Sequence, residues 1–205
     1  MSMMHNILPF TGQLLLLAVL LTLMTGSLVK NRRQRLFVVA VLLVTGLFLP
    51  VYGLSFAQWL RSVVGDLSVF TLVIFANILA QRLFGHKLLE SATRNHLLQG
   101  IAVVGVVFYP LALGVSAFDP YQMGYAPLFM SALLCLASVM AWLKDKRGFA
   151  IIVLLPLIAF NLQLLESTNL WNYLLDPILL VYAMVQILVR IKFIRSPKKF
   201  EKILP

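Results

Sequence analysis

The string ILPFTGQLLLLAVLLTLMTGSLV, residues 7–29, carries no charged side chain, and KNRRQR, residues 30–35, follows it directly. A helix needs roughly 20 apolar residues to cross a hydrocarbon core of about 30 Å, and this stretch supplies them. The order of its parts matters. A cleavable secretory leader puts its positive charges first and has a shorter apolar region; here the charges come last. The segment therefore reads as a retained spanning helix that starts outside and ends in the cytoplasm, where Lys and Arg accumulate.

Working outward from it, apolar runs recur at 36–52, 67–80, 97–115, 126–142, 149–165 and 177–189, making seven. The shorter ones must draw in flanking residues or thin the bilayer locally. Counting seven crossings from an outside start puts Lys30, Arg32, Arg33, Arg35, Arg82, Lys87 and Arg94 in the cytoplasm. Lys144, Lys146, Arg147, Arg190, Lys192, Arg195, Lys198, Lys199 and Lys202 join them, leaving Arg61 as the single external base among 17 Lys and Arg. The reverse orientation would break the positive-inside rule almost throughout, and six or eight crossings would break the alternation.

Composition agrees. Hydrophobic residues make up 61% of the chain and charged residues 12%, against about 25% charged in soluble domains. The expected fold is an all-α, polytopic transmembrane helical bundle of about seven helices, N-terminus out and C-terminus in. It forms a single integral membrane domain over residues 1–205, ending in a basic cytoplasmic tail at 190–205. The net charge of +10 follows from that topology, so no nucleic-acid partner is expected. Pro50, Pro110 and Pro156 each lie in an outward-running helix, followed by an outer loop and a returning helix. That spacing outlines three helical hairpins after one leading helix.

The outer side gathers aromatics, namely Tyr52, Trp59, Tyr109, Tyr121, Tyr125, Trp171 and Tyr173, as an interfacial belt does. The spacing of Leu54, Phe56, Trp59, Leu60, Val63 and Val64 predicts a short helix lying in the interface. Four acids are external: Asp66, Asp119, Glu166 and Asp176. With Arg61, Asn169 and Asn172 they form a candidate outer-face binding cluster for a hard cation or a cationic headgroup. A carboxylate pair doing acid and base chemistry is another use. Local chemistry offers a competing account. Asp66 and Asp176 stand directly before helices, where a carboxylate caps orphan N–H groups. Pro177 suits the first helical position, and Asp119-Pro120 begins a turn.

The predicted spans contain no Asp, Glu, Lys, Arg or His. Their polar residues, among them Gln13, Thr22, Thr25, Thr71, Asn77, Ser138 and Gln186, suit helix-to-helix hydrogen bonding. A retinal Schiff base is excluded because residues 178–189 lack Lys, and a haem bundle because His5, His86 and His96 fall outside the spans. Ion-coupled transport generally uses buried charges. His86, Glu90 and His96 read as a solvated loop rather than a metal site, and Cys135 as a small buried hydrophobe. No phosphate loop, dinucleotide fingerprint or nucleophile elbow occurs, so no catalytic residue, cofactor or metal is assigned. Membrane lipids and a membrane-protein partner are the expected partners. Arg190, Lys192, Arg195, Lys198, Lys199 and Lys202 should contact anionic lipid.

The functional expectation is a noncatalytic multi-pass protein of a bacterial inner membrane, a cell-envelope accessory or lipid- or partner-binding factor using its outer face. The alternative is a membrane-embedded enzyme that acts on a lipid-linked substrate through the outer carboxylates.

Overall fold

Each of the seven apolar runs becomes a helix. The computed structural model describes residues 7–26, 28–48 and 53–195. Pro50, Tyr52, His5, Lys198, Lys199, Glu201 and Lys202 lie outside the described residues, as does the side chain of Arg195. Helices α1 (Ile7–Thr25) and α2 (Arg32–Phe48) are followed by the short α3 (Phe56–Val64) and by α4 (Val69–Leu79), which runs on through a π-helical turn, Ala80–Phe84. Then come α5 (Ser91–Ala112), a 3-10 turn (Pro120–Gly124), α6 (Leu128–Leu143), α7 (Arg147–Asn161), the short α8 (Trp171–Leu174) and α9 (Pro177–Arg195). The described residues are all-helical, with 76% helix and no strand.

One of these helices, α5, with 22 residues, is both long and apolar enough to cross a membrane by itself; the apolar parts of α1, α4, α6 and α7 are shorter. After α1 the same order repeats three times. A long helix, a short helical element and a returning long helix make α2–α3–α4, α5–turn–α6 and α7–α8–α9. Pro110 and Pro156 sit inside α5 and α7.

Helix α4 is the hub. It packs against α1, α7, α8 and α9, while α6 pairs with α7, α5 with α9 and α1 with α2. Val69, Phe70, Leu72, Ile74, Phe75 and Leu79 are all buried, because a helix apolar on every side needs neighbours on every side. Helices α5 and α9 approach closely: a Cβ added at Gly105 would stand 2.7 Å from Leu180 Cδ1, the small-residue contact common between membrane helices.

Around an apolar core the bundle also buries several polar side chains and leaves many apolar ones exposed. Gln13, Thr22, Thr71, Asn77 and Ser138 are buried, whereas Phe37, Val44, Val103, Val107, Leu136, Val181 and Leu188 face outward. The buried polar groups are put to use. Ser138 Oγ donates to the Ala150 carbonyl at 2.9 Å, joining α6 to α7. Gln13 Nε2 donates to the Gly65 carbonyl at 2.8 Å, and Asn77 Oδ1 accepts from the Leu89 N–H at 2.9 Å. Thr22 and Thr25 instead bond back to carbonyls four residues earlier in α1. Cys135 departs from expectation: it is exposed, not buried. It lies on the apolar outer side of α6 beside Leu133 and Leu136, which are exposed as well.

The chain shuttles between two chemically distinct ends. At the basic end Arg32 Nε donates to the Leu83 carbonyl at 2.6 Å, and Lys146 Nζ lies 3.5 Å from His96 Nε2. At the acidic end stand Arg61, Asp66, Glu166 and Asp176. Helix α3 sits there too. It is opened by a reciprocal Ser55–Gln58 capping box and closed at Gly65, whose φ of +75° suits glycine. Phe56, Trp59 and Val63 remain exposed along it, the spacing of one apolar helical stripe.

Candidate functional site

The acidic end is built from three loops, and its charges are paired within it. Arg61, in the last turn of α3, donates from Nε to Asp66 Oδ1 at 2.8 Å and from Nη2 to Asp66 Oδ2 at 3.2 Å. The same Nη2 reaches Glu166 Oε1 at 2.9 Å. Above all the Asp66 hydrogen bond, and then Glu166, hold the Arg61 guanidinium above its ordinary pKa despite partial desolvation.

Asp66 is therefore not the cap of α4. That role falls to Ser68, whose hydroxyl accepts from the Thr71 N–H at 3.3 Å. Asp176 does cap its own helix, as Oδ1 accepts from the Leu179 N–H at 2.8 Å. Its other oxygen is committed elsewhere: Oδ2 accepts from the Ser68 N–H at 2.9 Å and from the Thr71 hydroxyl. One buried carboxylate thus joins the starts of α4 and α9. Asp119 accepts from the Tyr121 N–H at 2.9 Å and opens the 3-10 turn.

A cavity of about 510 Å³ lies among these elements. Asp66 and Asp176 line it together with Phe108, Tyr109, Tyr121, Ser167, Trp171 and Asn172. Of the predicted cluster, two acids share its wall, Arg61 ties Glu166 to one of them, and Asp119 and Asn169 stay off the wall. Asn169 works from behind. Its Nδ2 donates to the Tyr121 carbonyl and its Oδ1 accepts from the Trp171 N–H, both at 2.9 Å. Trp171 Nε1 donates to the Pro120 carbonyl at 2.9 Å, and the Leu170 N–H to the Gly124 carbonyl at 3.0 Å. These bonds lock the loop after α5 to the loop after α7.

The wall combines polar and aromatic groups. Tyr121 donates to Asn172 Oδ1 at 3.2 Å, and Asn172 Nδ2 to Ser167 Oγ at 2.7 Å. Phe108 stacks on Trp171 with centroids 4.3 Å apart and meets Tyr109 edge-on at 5.3 Å. Burial pushes the Tyr121 phenol above its ordinary pKa. Sequence reasoning did not single out Phe108, Tyr121, Ser167 or Trp171 as cavity residues. The available signal was the density of polar and aromatic residues in 118–125 and 166–173.

Among the described residues no three His, Cys, Asp or Glu converge in a way that could hold a metal ion. At the basic end Arg190 and Lys192 are exposed on α9, as are His86, Glu90 and His96 around the start of α5. No protein-family model, curated protein or solved structure matches the chain.

Proposed function

We propose that the chain is a noncatalytic, seven-span protein of a bacterial inner membrane, amino terminus out and carboxyl end in, whose acidic outer face binds a lipid headgroup. The observation that carries the reading is the number of large apolar side chains exposed along the long helices, Phe37, Val103, Leu136 and Val181 among them, around a core that is itself apolar. An apolar surface that extensive needs lipid or protein to cover it. The short apolar helices fit if flanking residues or local thinning complete each crossing.

The cavity supports binding more than catalysis. Each of the four outer carboxylates already serves a structural partner: Arg61 for Asp66 and Glu166, backbone N–H groups for Asp119 and Asp176. A general base or nucleophile needs a free reactive position. The enzyme reading draws its support from Asp66 and Asp176 sharing one cavity wall.

Single-cysteine labelling tests the topology. In a Cys135→Ser background, cysteines at the exposed positions Ser62 and Lys146 are challenged with a membrane-impermeant maleimide in intact cells. Labelling at 62 alone, with 146 reacting only after lysis, is the expected result. The reverse pattern, or equal labelling, overturns the orientation. Headgroup binding is read by native mass spectrometry of the detergent-purified protein, where Asn172→Ala should retain less lipid than wild type.

A further inference from the structure

The basic end holds a groove of its own, apart from the acidic cavity. Where the start of α5 meets the end of α9, a groove of about 730 Å³ is lined by Arg94, Asn95, Gln99, Gln186 and Arg190 on its polar side. None of its lining residues is acidic. Arg94 Nε is buried and has no hydrogen-bond partner among the described residues. A buried donor left unpaired costs about 1–3 kcal/mol, more on a charged group, so the half-buried Arg94 side chain gains from an acceptor drawn in beside it at the groove. The neighbouring amides of Asn95, Gln99 and Gln186 can donate, and Arg190 adds a second positive charge. Leu98, Ile187, Val189 and Ile191 complete the lining with apolar surface, and Val189 and Ile191 are exposed.

We infer that this groove binds the phosphate group of an anionic phospholipid, with Arg94 and Arg190 on the phosphate and the acyl chains along Val189 and Ile191. A phosphate oxygen matches the guanidinium fork, and basic pockets between helices on the cytoplasmic side are where anionic headgroups concentrate. The apolar flank selects a lipid over a free ion. The inference rests on the membrane reading above but not on the acidic cavity.

Delipidated full-length protein in a neutral detergent is titrated with phosphatidylglycerol and, separately, with phosphatidylcholine, and binding is read by native mass spectrometry. Phosphatidylglycerol should bind about tenfold more tightly, and Arg94→Gln and Arg190→Gln should each lose about tenfold, the scale of one charge-assisted hydrogen bond. Arg94→Lys should fall between, because an ammonium keeps the charge without the fork. Lys146→Gln, at the same end but off the groove, should bind as wild type, which separates the site from general basicity. Thermal unfolding of each variant confirms that it is folded. Equal binding of the two lipids, or wild-type affinity in both Arg→Gln variants, overturns the site. Displacement of phosphatidylglycerol by equimolar inorganic phosphate overturns the lipid assignment in favour of free phosphate. Binding in detergent does not depend on cellular orientation, so failure here leaves the cysteine-labelling result standing, and the reverse holds as well.

Discussion

Arg61 and Glu166 meet at 2.9 Å although α4, α5, α6 and α7 all lie between them in the chain. Their contact is the outer of two made by one guanidinium. The Asp66 side chain is 23% exposed and that of Glu166 56%, so water screens the two pairs differently. Asp66→Asn should destabilise the protein by about 1 kcal/mol and Glu166→Gln by less than about 0.5 kcal/mol. Thermal unfolding in detergent measures both. Raising salt should narrow the gap between Asp66→Asn and wild type.

Asp176 should resist the substitution that a simple cap tolerates. An Asn at a helix start usually retains most of the capping. Here both oxygens accept, from Leu179 on one side and from Ser68 and Thr71 on the other. An amide would turn a donor toward at least one of these donors. Asp176→Asn should cost about 2 kcal/mol and Asp176→Ala at least as much, read as lowered melting temperatures. An Asn variant as stable as wild type would contradict the shared-carboxylate geometry.

Two glycines should behave in opposite ways. A Cβ at Gly124 would lie 1.9 Å from Asn169 Oδ1 and 2.9 Å from Trp171 Cδ1, whereas one at Gly100 meets nothing within 4 Å. Gly124→Ala should cost at least about 2 kcal/mol through overpacking and loss of the Asn169 bonds. Gly100→Ala, inside α5, should be neutral or stabilising by up to about 1 kcal/mol.

Tyr173 predicts an alkaline limit. Burial, with a smaller push from the charge of Asp66, raises its phenol above the ordinary value of 10.0. The fold holds the neutral form, whose hydroxyl donates to the Leu165 carbonyl and accepts from the Leu165 N–H, both at 3.1 Å. Its contribution is complete below about pH 10, the unfolded-state value, and is lost as pH rises through the higher folded-state value. Between pH 9 and pH 11 the melting temperature of wild type should therefore fall further than that of Tyr173→Phe. Equal falls would remove Tyr173 from the account.

The helices were legible because their driving signal is local. Long uncharged runs separated by basic or turn-forming residues mark them, and even the small α3 showed its stripe at Phe56, Trp59 and Val63. Ends were harder to read. Helix α5 starts at Ser91 rather than near 97, because a polar first turn can reach water or headgroups and need not be apolar. Standing just before a helix, Asp66 fits a cap as well as a binding cluster by sequence. After Gly65 the chain stays non-helical until Val69, so Ser68 reaches the helix start and Asp66 turns back to Arg61. The cavity was the least legible feature. Its walls come from loops joined by bonds such as Asn169 to Tyr121 and Trp171 to Pro120, whose partners are far apart in sequence. Periodicity also cannot tell a helix face that meets protein from one left exposed, and Cys135, exposed on α6, shows it.

The carboxylate shared between α4 and α9 also bears on the order in which the bundle is made. During synthesis α4 is complete while the acceptor of its Ser68 N–H and Thr71 hydroxyl is still 108 and 105 residues further on. Until the ribosome has delivered Asp176, the Ser68 N–H and the Thr71 hydroxyl lack this acceptor. Docking of α9 then joins the starts of the two helices through one carboxylate. A chain released before residue 176 would leave the start of α4 without the carboxylate that ties it to α9.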